Sequence, residues 1–114
     1  MIIKIFKGKI SDADLRDMAQ KTFGHMVKAV VDVRQKIIAL GGELHADAEE
    51  ILLAQGSRQE DLWGFNIYPD KTLDERLEYT SLINIRPRQG NHGREIQDES
   101  LRQKIKKFID EALS

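Results

Sequence analysis

Hydrophobic residues along this chain recur at two spacings, and the switches between them outline its elements. In "ISDADLRDMAQKTFG", Leu15, Met18, Ala19 and Phe23 fall three or four apart, one face of a helix. Ser11 is placed to cap that helix, with Asp14 three residues on as in a capping box. Ile10 and Leu15 flank the start as a hydrophobic staple, and Gly24 supplies the stop. "MVKAVVDVRQKIIALGG" carries both periods at once. Met26, Val30, Val33, Ile37 and Leu40 recur helically, whereas Val27, Ala29, Val31 and Val33 alternate. β-Branching restricts side chains in a helix and packs well on a pleated surface. The expectation is two strands, 27–33 and 36–41, turning at Arg34–Gln35, with a single helix as the alternative.

The remaining elements follow in the same way. Residues 1–6 read as an edge or terminal strand, and "HADAEEILLAQG" as a short helix whose early acids favour the positive end of the helix dipole. In "DLWGFNIYP", Trp63, Phe65 and Ile67 share one face and Leu62, Asn66 and Tyr68 the other. In "YTSLINIRP", Ile83 and Ile85 are expected inward and Leu82, Asn84 and Arg86 outward. Both read as strands closed by proline, with a polar loop from Asp70 to Glu78 between them. A final helix is expected over 98–112, its apolar stripe made by Leu101, Ile105, Phe108, Ile109 and Ala112. The order β-α-β-β-α-β-β-α predicts a single α+β domain. It has an antiparallel or mixed sheet of about five strands, with helices packed mainly on one face.

Composition narrows the setting. At 114 residues the chain is long enough for one core without staples. It has no cysteine, which removes disulfides and thiolate metal sites. Lysines at 4, 7 and 9 interrupt any leader-like apolar run, and no run reaches the roughly 18 residues of a membrane helix, so a soluble cytoplasmic protein is expected. The net charge of −1 argues against a purely electrostatic nucleic-acid binder. Its distribution is uneven. Residues 43–61 hold six acids against Arg58, while 84–107 hold seven bases against Glu95, Asp98 and Glu99. These blocks can pair within one molecule or across a homodimer.

Two stretches carry candidate chemistry. "NIRPRQGNHGR" offers Arg86, Arg88, Gln89, Asn91, His92 and Arg94 around two glycines. Guanidinium forks and closely approaching backbone amides suit phosphate, carboxylate or RNA. With the outward Asn66, Tyr68 and Asn84 they would make a polar ligand-binding floor. The bland reading is local neutralisation: with Tyr68 opposite Thr80 in a hairpin, Asp61 would lie beside Arg86. "GGELHADAEE" would put Glu43, His45 and Asp47 on one side if extended, and His45 and Glu49 on one face if helical; either could offer ligands to a divalent metal, His45 and Asp47 foremost. No specific metal or phosphate motif is present, and a turn followed by dipole-matching acids, with His45 as a cap or buried partner, explains the stretch better. Trp63 and Phe65 fit core positions better than a stacking platform.

The blocks "GGELHADAEEILL", "GSRQEDLWGFNIYPD" and "SLINIRPRQGN" resemble a family of short prokaryotic proteins known as a domain of unknown function. The resemblance spans nearly the whole chain and implies one domain, with no activity or cofactor attached. Two functions fit these residues. The first is a small binding module with an anion- or phosphate-holding basic loop, or a homodimeric interaction protein. The alternative is a metal-assisted phosphodiesterase or ribonuclease in which Asp47, Asp61, His45 or His92 is the base and Arg86 and Arg88 clamp the phosphate.

Overall fold

The computed structural model describes residues 2–114. Strand β1 (Ile3–Phe6) leads to helix α1 (Asp12–Gln20), then to β2 (Val27–Asp32) and β3 (Ile37–Gly41). Helix α2 (His45–Ala54) precedes β4 (Leu62–Ile67) and the two-residue β5 (Leu77–Glu78), and α3 (Glu99–Ala112) closes the chain. All strand pairs are antiparallel, in the order β1-β3-β2-β4-β5. The α+β class is the expected one.

The local signals behave as their chemistry dictates. Ser11 Oγ accepts from the Asp14 amide at 3.0 Å, and Ile10 and Leu15 are both buried at the start of α1. Phe23 lies beyond that helix and stays 40% exposed, so the apolar face of α1 ends at Ala19. β-Branching prevails over the helical spacing in 27–41, giving the hairpin. Its turn is held by Asp32, a fully buried carboxylate. Asp32 accepts from the amides of Arg34 (2.9 Å) and Gln35 (2.8 Å), the Gln35 side chain (2.9 Å) and Ser57 Oγ (2.7 Å). Burial works to raise the Asp32 pKa, but these donors outweigh it and hold the carboxyl below its usual range.

Strand alternation sorts the core into two layers. Val27, Ala29, Val31, Ile38, Leu40, Trp63, Phe65 and Ile67 pack beneath α1 and α3. Val30, Ala39 and Leu62 meet Ala48 and Leu52 of α2 on the opposite face. Two of the three helices thus share one face. Trp63 and Phe65 are core, as their spacing predicts. All six residues of β4 are buried, so its second face, including Asn66, is not the wet floor expected.

The expected strand over 79–87 does not form. After β5 the chain makes one bridge between Thr80 and Glu95, a 3-10 turn over Leu82–Asn84, a bridge between Arg86 and Asn91, and a second 3-10 turn over Pro87–Gln89. The hairpin register also differs: the Tyr68 amide donates to Arg76, and Asn66 pairs with Glu78. The side-chain pattern is inverted as a result. Asn84 and Arg86 are buried, while Leu82 and Ile85 are 64% and 43% exposed.

The edge of β4 explains the inversion. β5 covers only Asn66 and Ile67, leaving the outer backbone groups of Leu62 and Gly64 without a strand partner. Asn84 takes both groups of Gly64: its Oδ1 accepts from the Gly64 amide and its Nδ2 donates to the Gly64 carbonyl, each at 2.9 Å. Arg86 donates to the Leu62 carbonyl. Polar side chains here replace the missing ladder, the competition that short amide side chains offer to regular structure. Gly64 makes the close approach possible, since a Cβ there would lie 2.7 Å from Ser81 Cβ and Oγ.

Candidate functional site

Most of the polar residues in the 84–94 loop are consumed in holding it. Asn91 Nδ2 donates to the carbonyls of Asn84 (2.8 Å), Gly93 (3.0 Å) and Glu95 (2.9 Å), while its Oδ1 accepts from the Gln97 amide (2.9 Å). Gln89 donates to the Glu60 carbonyl and accepts from Arg86. Arg86 also donates to the carbonyls of Gln59 and Ile83, and its guanidinium lies 4.3 Å from the Trp63 ring centroid. Burial lowers the Arg86 pKa, and burial raises that of Glu49, the acid whose field acts on it. Desolvation outweighs attraction on both sides, and the two side chains do not form an ion pair among the described residues. Asp61 does not neutralise Arg86. It pairs instead with Arg34 and Arg58, at 3.1 and 3.0 Å.

Of the anticipated ligand-binding residues, Asn84, Arg86, Gln89 and Asn91 are therefore stitches. Arg88, His92 and Arg94 are exposed, and Tyr68 is half-buried with its hydroxyl donating to Glu78 Oε1 at 3.0 Å. Neither Arg88 nor His92 lines the cleft on which Arg94 sits. Arg94 is drawn back by its own carbonyl, which accepts from Asn84 Nδ2 at 3.0 Å and from the Ser81 amide at 3.1 Å. That anchoring sets Arg94 on a cleft with residues from three distant parts of the chain.

The cleft has a volume of about 330 Å³ and is lined by Lys28, Leu44, His45, Ala46, Thr80, Ser81, Leu82, Ile83 and Arg94. Lys28 is the second residue of β2, where it interrupts the apolar run from Val27 to Val31. Neither Lys28 nor Arg94 enters an ion pair among the described residues. The nearby acid Glu95 is already bound by Thr80 Oγ1 and Arg102, both at 2.8 Å. The start of α2 opens on the same cleft. Its N-cap position is Leu44, which provides no side-chain acceptor, so first-turn amides lack the partner a polar cap would give. Asp47 is not among the lining residues.

His45 is buried, and its Nε2 lies 2.8 Å from the Phe65 carbonyl. A carbonyl only accepts, so Nε2 carries the proton and Nδ1 presents a lone pair in the neutral ring. Burial pushes the His45 pKa down to about 4. Nearby Lys28 adds to that, and the Phe65 carbonyl and Asn66 oppose it. At neutral pH the ring is a weak base with its one N–H spent. Among the described residues, no group of three His, Asp or Glu is arranged to hold a metal ion.

Lys28, Thr80 and Ser81 were not anticipated. The signal for Lys28 was a lone cation inside a β-branched strand, but no spacing links residues 28, 45 and 94. No helix among the described residues is long and apolar enough to cross a membrane. The profile of a family described as "Protein of unknown function (DUF5674)" matches residues 4–112. No curated protein and no solved structure matches the chain.

Proposed function

The chain belongs to the DUF5674 family of proteins of unknown function, and on that premise we propose that it is a small binding module holding an anion-bearing molecule in the Lys28–His45–Arg94 cleft. One observation carries this reading: Lys28, whose ammonium sits 5.4 Å from the Phe23 ring centroid, and Arg94 line one concavity whose other walls are mainly apolar, and neither enters an ion pair among the described residues. Cations set against low-dielectric walls hold an anion more tightly than the same groups on an open surface. The unfilled start of α2 adds amide donors to the same anion. Binding is favoured over hydrolysis, because His45 combines a pKa of about 4 with an engaged Nε2.

Titration with inorganic phosphate at low ionic strength, followed by amide chemical shifts, tests the reading. Shifts are expected at Lys28, His45, Ala46 and Arg94. Lys28→Ala and Arg94→Ala should each weaken binding roughly five- to tenfold, in line with charge-assisted hydrogen bonds. Lys104→Ala, on the far side of the sheet in α3, should leave it unchanged. Shifts scattered over all lysines, or none at these four residues, would overturn the assignment.

A further inference from the structure

The sheet has one edge that the described residues leave open. The Gly42 amide donates to the Ile2 carbonyl at 3.0 Å, which makes Ile2 and Gly42 a hydrogen-bonded pair. Along the same register the bonded pairs are then Lys4 with Leu40 and Phe6 with Ile38. Ile3 and Ile5, opposite Gly41 and Ala39, therefore turn their N–H and C=O groups away from β3. No strand lies on that side, because β1 ends the sheet, and neither residue makes a further backbone bond among the described residues. The edge at β4 is treated differently: Asn84 and Arg86 occupy the outer groups of Gly64 and Leu62. Side chains along β1 sort by face. Ile3 and Ile5 are half-buried beside the α2 layer, and Phe6 packs on the layer of α1 and α3. Lys4 shares the face of Phe6. Both Lys4 and Lys7 are exposed, and neither enters an ion pair among the described residues.

We propose that β1 takes up an extended acidic segment of a partner protein as a sixth, antiparallel strand, in which one acid is flanked by two β-branched residues. This edge is separate from the anion cleft, which Ile3, Lys4 and Ile5 do not line. Ile3 and Ile5 each offer one backbone donor and one acceptor to a strand laid alongside. The partner residue opposite Lys4 then falls in a non-hydrogen-bonded pair, where opposed side chains approach most closely. A carboxylate there meets a free ammonium. Its two neighbours point to the other face, where β-branched side chains cover Ile3 and Ile5. A second copy of this chain fits less well. Residues 2–10 hold Lys4, Lys7 and Lys9 and no acid. Pairing Ile3 with Ile5 of a second β1 sets Lys4 directly against Lys4. Shifting to Ile5 against Ile5 brings each Lys7 over the other Ile3, so like charges crowd one ribbon in either register.

Amide-resolved NMR titration of the intact protein at low ionic strength can compare three peptides capped at both ends. TEVEVET should shift the Ile3, Lys4 and Ile5 amides and slow hydrogen exchange at Ile3 and Ile5. The same peptide N-methylated at both valines keeps its charge but loses the two donors, and should bind at least about fivefold more weakly. TKVKVKT should bind at least about threefold more weakly than TEVEVET. Lys4→Glu, a change on the exposed edge, should reverse the preference between the acidic and basic peptides. Equal binding of TEVEVET and its N-methylated form would mean charge attraction without strand addition and would overturn the proposal. An acidic preference unchanged in Lys4→Glu, shifts centred away from β1, or no binding by any peptide would also overturn it. So would a wild-type dimer in sedimentation velocity whose Ile3 and Ile5 amides are already protected, since a second copy would then hold the edge.

Discussion

Replacing Asn84 by alanine tests whether side chains really complete the sheet. The substitution removes three hydrogen bonds, at 2.9, 2.9 and 3.0 Å, to the Gly64 amide, the Gly64 carbonyl and the Arg94 carbonyl. Asn84 is fully buried, so water does not readily take its place. A buried backbone group left unpaired costs about 1–3 kcal/mol. The Gly64 amide has no other partner along this edge. The Arg94 carbonyl loses less, because it still accepts from the Ser81 amide at 3.1 Å. The sum is about 3–5 kcal/mol, a large share of the roughly 5–15 kcal/mol that holds a domain together. Urea unfolding should show a lowered midpoint with an unchanged slope. Asn84→Asp should be at least as damaging, since it keeps the acceptor for the Gly64 amide but turns a carboxylate toward two carbonyl oxygens. Arg94 would also lose its anchor, so the folded fraction of Asn84→Ala should bind anions less tightly than wild type. A loss below about 1 kcal/mol would refute the idea that this side chain stands in for a strand.

Two further expectations concern buried polar groups. His45 has a folded-state pKa of about 4 against 6.5 unfolded, so the unfolded chain binds more protons between those values. Stability should therefore fall as pH drops from about 6.5 toward 4, by roughly 3 kcal/mol in all. His45→Gln should remove that component from a comparison of urea midpoints at several pH values, and an unchanged pH slope would count against it. Asp32→Ala strips the β2–β3 turn of four hydrogen bonds and should cost about 2–4 kcal/mol in thermal or urea unfolding. Gln35→Ala, which removes one of the four, should cost about 1 kcal/mol, and equal losses in the two variants would contradict the assignment.

The part of this protein legible from its sequence is the part governed by neighbours in the chain. A serine followed three residues later by an acid caps α1, β-branched residues turn 27–41 into a hairpin, and period two sends Trp63 and Phe65 into the core. Those effects act within one turn of helix or one pleat, where spacing alone is informative. The 79–94 segment obeys a different influence. Its alternation suggests a strand, but the exposed edge of β4 and the missing side chain at Gly64 reward buried amides and a guanidinium instead. The arginines of the basic loop were thereby divided, the expected clamp residues Arg86 and Arg88 going to the interior and to the exposed surface, and Arg94 to a cleft beside Lys28 and His45. Charge and polarity are written in the chain. Which polar groups satisfy one another, and which remain to meet a ligand, is settled only when residues far apart in sequence compete for the same buried hydrogen bonds.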